Sequence, residues 1–149
     1  MKFRLMAALL AGTSFFAAQA NAEAIKIGIA NFGPHPVLNS VVKGFIDGMT
    51  KRGYIEGKNV VYNKSHASFK PNLLPQMLAK IQAGKPKLVV TVTTPVSQAG
   101  KKMFADKGVP QVFTAVTDPI AAGLTPSWTK GGNNITGASD QQDMDGVFA

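Results

Sequence analysis

Segments with the pattern of β-strands alternate with amphipathic helical segments along most of the chain, and this alternation limits the fold more than any other feature. Strands are predicted at residues 24–31, 59–63, 88–92 and 110–114, and helices at residues 36–52, 73–83 and 95–107. The third strand is apolar on both faces, which is typical of a central parallel strand covered by helices on each side. The short connections predict an α/β fold, a doubly wound parallel sheet with helices on both faces. Residues 133–149 are polar and contain glycine, and no element is assigned to them.

The first 22 residues have the pattern of an export signal. Lys2 and Arg4 precede an apolar stretch at residues 5–18, and Ala20-Asn21-Ala22 supplies the small-x-small pattern that signal peptidase needs. The stretch is shorter than the roughly 18 to 20 residues that span a bilayer, which favours a cleaved signal peptide (1–22) over a membrane anchor. No cysteine follows the cleavage site, so the product is expected to be periplasmic, to carry no lipid anchor and to have no stable membrane insertion.

Composition excludes several classes of function. The 149 residues are 45% hydrophobic and include no cysteine, which fits a globular domain without disulfides, thiolate nucleophiles or cysteine metal sites. The net charge is +8, but the lysines are scattered without a basic stripe, so a nucleic-acid partner is not favoured. His35 and His66 have no histidine partner at helical spacing, so no metal or other cofactor is predicted.

Polar and aromatic side chains follow three of the predicted strands. In doubly wound sheets, ligands bind outside the carboxyl ends of the strands, beside helix amino termini. These strand ends offer hydroxyl donors for a carboxylate, a carboxylate for an ammonium group, and ring faces for an apolar or aromatic side chain. The residues concerned are Phe32 and His35 after the first strand, Thr94, Ser97 and Gln98 after the third, and Phe113, Thr117 and Asp118 at the end of the fourth.

Structural explanations for these side chains stay open at this stage. Thr94 is a candidate N-cap for the third helix, with Pro95 in its first turn, and Asp118 is a turn former before proline. A serine hydrolase built from Ser97, His35 and Asp118 is disfavoured because no G-x-S-x-G motif is present. A dinucleotide enzyme is disfavoured because NFGPHP stands where G-x-G-x-x-G is required.

Four segments resemble a known family. HPVLNSVVKGFIDGMTKRGYIEGKNV, TTPVSQAG, VFTAVTDPIAAGL and GGNNITGASD are similar, in this order, to exported solute-binding proteins of ABC importers of the tryptophan and tyrosine uptake type. The resemblance implies a type I periplasmic binding fold with two lobes, no enzymatic activity, an aromatic amino acid as ligand, and an ABC permease of the inner membrane as partner. It also implies that the loops named above face the interlobe cleft, and it adds Ser139 and Asp140 near the crossover between lobes.

Members of this family continue into a second lobe after the segment that corresponds to residues 134–140. The resemblance therefore implies that residues 23–140 form an amino-terminal ligand-binding lobe and that residues 141–149 begin the crossover to a second lobe that is missing here. A first lobe alone leaves one wall of the cleft open, so we expect it to bind ligand much more weakly than a two-lobed relative. A ligand-sensing lobe for a receptor or kinase uses the same cleft and remains an alternative.

Overall fold

The computed structural model describes residues 23–141, which form five strands, three α-helices and two short 3-10 turns. The predicted signal peptide and residues 142–149 lie outside the described residues. The elements are β1 Ile25–Asn31, α1 Pro36–Lys51, β2 Val60–His66, a 3-10 turn Pro71–Leu73, α2 Leu74–Ala83, β3 Leu88–Val92, α3 Thr94–Phe104, a 3-10 turn Ala105–Lys107, β4 Gln111–Val116 and β5 Ile135–Ser139. Among the described residues, no helix has the length and apolar character needed to cross a membrane.

The five strands form one sheet in the order β2-β1-β3-β4-β5, and every neighbouring pair is parallel. On one face, α1 packs over a buried cluster that includes Ile27, Ile29 and Val90. On the other face, α2 and α3 bury a second cluster that includes Leu78 and Phe104. The predicted α/β fold, with helices on both faces of a parallel sheet, is therefore confirmed.

Two strands differ from their sequence-based predictions by more than two residues. β2 continues three residues beyond Asn63 because its whole length pairs with β1, ending in the pair Asn31 and His66. β2 lies at the edge of the sheet, so its second half could remain polar, and that polarity concealed it. β5 was not predicted, since Ile135 is its one buried residue and pairing with β4 is what makes it a strand.

The start of α3 also differs from prediction. Thr93 occupies the N-cap position, and no side chain caps the helix, so the prediction that Thr94 is the N-cap is wrong. Pro95 lies in the first turn as expected. Thr93 has φ of 84°, a left-handed conformation that a β-branched residue rarely adopts, and this turn directs the chain into the helix in place of a side-chain cap.

Tyr62 is a buried side chain on β2 whose hydroxyl has no hydrogen-bond partner. Burial, and secondarily the Glu56 carboxylate, raises the pKa of this phenol. The folded state therefore holds the proton more tightly than the unfolded state, so the contribution of this group to stability is full below about 10, the ordinary tyrosine pKa, and is lost as the pH rises from there through the raised pKa of the folded state. We expect Tyr62→Phe to change the free energy of unfolding by less than about 1 kcal/mol at neutral pH and to lessen the fall at alkaline pH. Urea titrations of both proteins at a series of pH values test this, and parallel stability curves would contradict it.

Candidate functional site

All strands are parallel, so their carboxyl ends lie along one edge of the sheet. We call the loops that follow β1, β2, β3, β4 and β5 the carboxyl edge: residues 32–35, 67–70, 93–94, 117–118 and 140–141. The register places Ala30 beside Thr91, Val92 beside Thr114, and Val116 beside Ser139. The three strand ends singled out by the sequence therefore lie at the same edge.

Two aromatic rings stand where β1 and β2 end. Phe32 and Phe69 pack edge to face, with ring centroids 5.8 Å apart and planes at 87°. The Phe69 amide donates to the Phe32 carbonyl at 2.9 Å, which joins the two loops. Phe69 remains 46% exposed, and a Cβ on Gly33 would come within 2.6 Å of its ring. The pair therefore forms an apolar surface that glycine at position 33 permits.

Phe69 was not identified from the sequence, although a signal for it existed. The segment SHASF spans the end of β2 and the loop after it, with the same mixture of hydroxyl, histidine and aromatic side chains that marked the other strand ends. The prediction ended β2 at Asn63 and left this segment in a loop. Once β2 extends to His66, Phe69 comes three residues after its end.

Backbone strain is concentrated close to the carboxyl edge. Among the described residues, the non-glycine residues with positive φ are Ser68 (50°), Phe69 (60°), Thr93 (84°) and Ala115 (52°) near this edge, and Lys85 (51°) between α2 and β3. Such conformations are costly and persist where the surrounding structure enforces them, often at functional sites. Their position supports the carboxyl edge as the functional surface.

The three residues predicted at the start of α3 lie in different surroundings. Thr94 is half-buried at the edge, but Ser97 is fully buried, and its hydroxyl donates to the Thr93 carbonyl at 2.8 Å. Gln98 lies one residue further along α3, where its Nε2 donates to the Ala122 carbonyl at 3.0 Å. The structure therefore presents Thr94 at the carboxyl edge and directs the Ser97 and Gln98 side chains to contacts behind it.

Hydrogen bonds join the ends of β4 and β5 to each other's following loops. The Ser139 hydroxyl donates to the Thr117 carbonyl at 2.6 Å, and the Asp140 amide donates to the Val116 carbonyl at 3.2 Å. Asp118 Oδ1 accepts from the Ile120 and Ala121 amides, both at 2.9 Å, which stabilises the turn that follows. Asp118 and Asp140 are both exposed, so this end of the carboxyl edge carries two carboxylates.

The strand order places aromatic, hydroxyl and carboxylate side chains in succession along the carboxyl edge. The aromatic rings follow β2 and β1, the hydroxyls follow β3, and the carboxylates follow β4 and β5. Neighbouring strands lie about 4.8 Å apart, so β1 and β4 are separated by about 10 Å. One small molecule with an apolar group and an ammonium group at opposite ends could contact both regions.

In the part of the chain that the structure describes, the predicted residues are not gathered in one of the cavities found there. A cavity of about 410 Å³ lies between α1 and the strands β1 and β2, lined by residues that include Ile29, Asn31, Val42 and His66. None of the nine predicted site residues lines it. Gln98 borders a separate open groove of about 620 Å³ beside α3, and Ser139 a small cavity of about 120 Å³. Ser97 is buried, and the other six predicted residues lie at the carboxyl edge.

The hydrolase arrangement is not formed. Ser97 is buried, His35 Nδ1 accepts from the Val37 amide at 3.2 Å as the N-cap of α1, and Asp118 Oδ1 is bound to backbone amides. Each member is thus hydrogen-bonded to other groups. Within residues 23–141, no group of three or more histidine or acidic side chains could hold a metal ion.

Comparison with known proteins agrees with the fold. The family model for ABC transporter substrate binding proteins matches residues 26–147. A tyrosine-binding protein of Clostridioides difficile (strain R20291) is 35% identical over 119 residues, which cover 80% of this chain and 34% of that protein.

Two solved structures are similar at 33% identity. A ligand-free, open substrate-binding protein with adhesive properties from Clostridium difficile superposes with a TM-score of 0.74 over 82% of this chain and 41% of that one. An ABC domain in complex with L-Trp from Streptococcus pneumonia superposes with a TM-score of 0.72 over 80% and 39%. The chain thus spans less than half the length of each relative. The sheet topology and the family match together show that this chain belongs to the ABC transporter substrate-binding proteins, with the type I periplasmic binding protein fold.

Proposed function

We propose that this chain supplies the amino-terminal lobe of an exported binding protein that captures an aromatic amino acid and delivers it to an ABC permease of the inner membrane. In this proposal residues 1–22 are a cleaved export signal that directs the protein to the periplasm, and residues 23–140 form the lobe. Residues 141–149 begin the crossover to a second lobe. The observation that carries the proposal is the order of aromatic, hydroxyl and carboxylate groups along the carboxyl edge.

Each group at this edge has a role in the proposed complex. The exposed faces of Phe32 and Phe69 contact the ligand's aromatic side chain. Thr94 and the free amides at the start of α3 donate to its carboxylate, since a helix amino terminus favours negative charge. Asp118 accepts from its ammonium group, with Asp140 adding negative charge nearby.

His35 and Thr117 lie in the same loops, Ser139 is the last residue of β5, and these three residues complete the proposed surface. Ser97 and Gln98 support this surface through the contacts that their side chains make behind it. The proposal includes no catalytic step, which agrees with relatives that are named as binding proteins. One relative is named for tyrosine and another was solved with L-Trp, and this favours an aromatic ligand.

A nitrogen-15 NMR titration of the purified chain with L-tryptophan, L-tyrosine and L-phenylalanine tests the proposal. We expect amide shifts at the carboxyl edge, with a dissociation constant of about 1 mM, equivalent to about −4 kcal/mol, because one lobe provides one wall of a cleft. L-Lysine is the matched control, since it has the same ammonium and carboxylate groups without a ring. Shifts confined to α2, or equal responses to L-lysine and L-tryptophan, would contradict the proposed site.

A further inference from the structure

We infer that Thr91, Ser97 and Gln111 form a buried positioning network that holds the start of α3 in the conformation that receives ligand. The inference rests on the proposed function, because it assigns a task to residues behind the proposed ligand surface. It also gives Ser97 a role other than direct ligand contact. The network acts through Thr93, which none of the three residues adjoins in sequence.

The three side chains are joined by hydrogen bonds beneath the carboxyl edge. Gln111 Nε2 donates to Thr91 Oγ1 and to the Ser97 carbonyl, both at 2.9 Å. Thr91 Oγ1 and Ser97 Oγ are 3.0 Å apart. Thr91 and Ser97 are 0% exposed and Gln111 is 1% exposed, so water does not compete for these bonds.

The network ends at Thr93, the residue with positive φ before α3. Ser97 Oγ and the Ser97 amide both donate to the Thr93 carbonyl, at 2.8 and 3.0 Å. The Thr93 amide donates to the Thr114 carbonyl on β4 at 3.0 Å. Both backbone polar groups of Thr93 are therefore held, one through Ser97 and the other through the sheet. This explains how a threonine keeps φ of 84°.

The packing around the network leaves little freedom to rearrange. A Cβ on Gly100 would lie 3.0 Å from Gln111 Nε2 and 3.0 Å from Thr91 Cγ2, so glycine allows α3 to approach the network closely. Thr93 Oγ1 is buried without a hydrogen-bond partner, immediately before the proposed carboxylate-binding turn. The network thus fixes a turn in which one polar group, the Thr93 hydroxyl, makes no hydrogen bond within the described residues.

A pair of substitutions at position 91 separates positioning from packing. Thr91→Val keeps the shape of the side chain and removes its hydroxyl, whereas Thr91→Ser keeps the hydroxyl. We expect Thr91→Val to change the HN–Hα coupling of Thr93, which reports its φ angle, and to weaken L-tryptophan binding about tenfold. We expect Thr91→Ser to restore the coupling and to bind within about twofold of the wild type.

Ile81→Val is the matched control for lost stability, because Ile81 is fully buried against the same sheet face and is not part of the network. We expect it to leave the Thr93 coupling and the affinity unchanged. An unchanged Thr93 coupling in Thr91→Val, or an equal loss of affinity in Ile81→Val, would overturn the inference. If the wild type fails to bind any aromatic amino acid, the proposed function fails, and the Thr93 coupling still decides whether the network positions this turn.

Discussion

Gly137→Ala is expected to lower the free energy of unfolding by roughly 2 to 4 kcal/mol, because the added methyl group has no space. Gly137 lies in β5 opposite Phe113 of β4. A Cβ at this position would lie 2.2 Å from the Phe113 carbonyl oxygen and 2.5 Å from its Cγ. The first of these atoms is backbone, so relief requires β5 to move away from β4 rather than a side chain to rotate.

Separation of β5 from β4 would also expose a small hydrophobic cluster. Phe113, Val116, Leu124 and Ile135 form this cluster at the end of the sheet. The measurement is urea unfolding followed by circular dichroism, together with amide hydrogen exchange of β5. We expect faster exchange in β5 and little change in β1.

Gly44→Ala is the matched control for the glycine substitution. Gly44 lies within α1, and a Cβ there would meet nothing within 4 Å. Alanine is favoured over glycine inside a helix, so this variant is expected to gain about 0.5 to 1 kcal/mol. A Gly137→Ala protein as stable as the wild type would show that β5 is not held as closely against Phe113 as the structure describes.

Asp118→Asn is expected to weaken L-tryptophan binding by roughly 10 to 100-fold if Asp118 accepts from the ligand's ammonium group, because a charge-assisted hydrogen bond is lost. The substitution keeps an oxygen acceptor for the Ile120 and Ala121 amides that Asp118 Oδ1 now binds. The turn after β4 should therefore persist, and the free energy of unfolding should change by less than about 1 kcal/mol.

A second ligand isolates the proposed ion pair. Indole-3-propionate has the ring and carboxylate of tryptophan but no ammonium group, so it should bind the wild type and Asp118→Asn with the same low affinity. Asp106→Asn is the charge control, since Asp106 lies in the 3-10 turn after α3, away from the carboxyl edge. Equal losses for L-tryptophan and indole-3-propionate would show that Asp118 acts through the turn and not through the ammonium group.

Much of the fold followed from local patterns in the sequence. The bounds of β3 were predicted correctly, since a continuous apolar strand is marked along its whole length. Pro36 begins α1 and Gly84 follows the end of α2, because proline suits a first helical turn and glycine suits a helix end. The second half of β2 and all of β5 did not follow, because pairing with a neighbour defines them more than hydrophobicity does.

The candidate site was likewise predicted from the sequence only in part. The sequence located three of the five strand ends whose loops form the carboxyl edge, because ligand sites in parallel sheets follow from strand direction. It did not identify Phe69, whose exposed ring depends on contacts with Phe32 and Gly33. It also did not separate Thr94 at the edge from Ser97 beneath it, since residues three apart on a helix lie on a similar face and the local sequence does not show which of them packs against the sheet.

The sequence by itself determined the α/β fold, the edge at which ligand is expected and the family, because periodicity and short motifs are local properties. The tertiary structure decided whether each side chain is presented at the carboxyl edge or makes its contacts behind it. Gln111 lies 20 residues from Thr91 and 14 from Ser97, yet it donates hydrogen bonds to both in a region closed to water. Such bonds depend on the packing of α3 against β3 and β4, and no local pattern of residues encodes that packing.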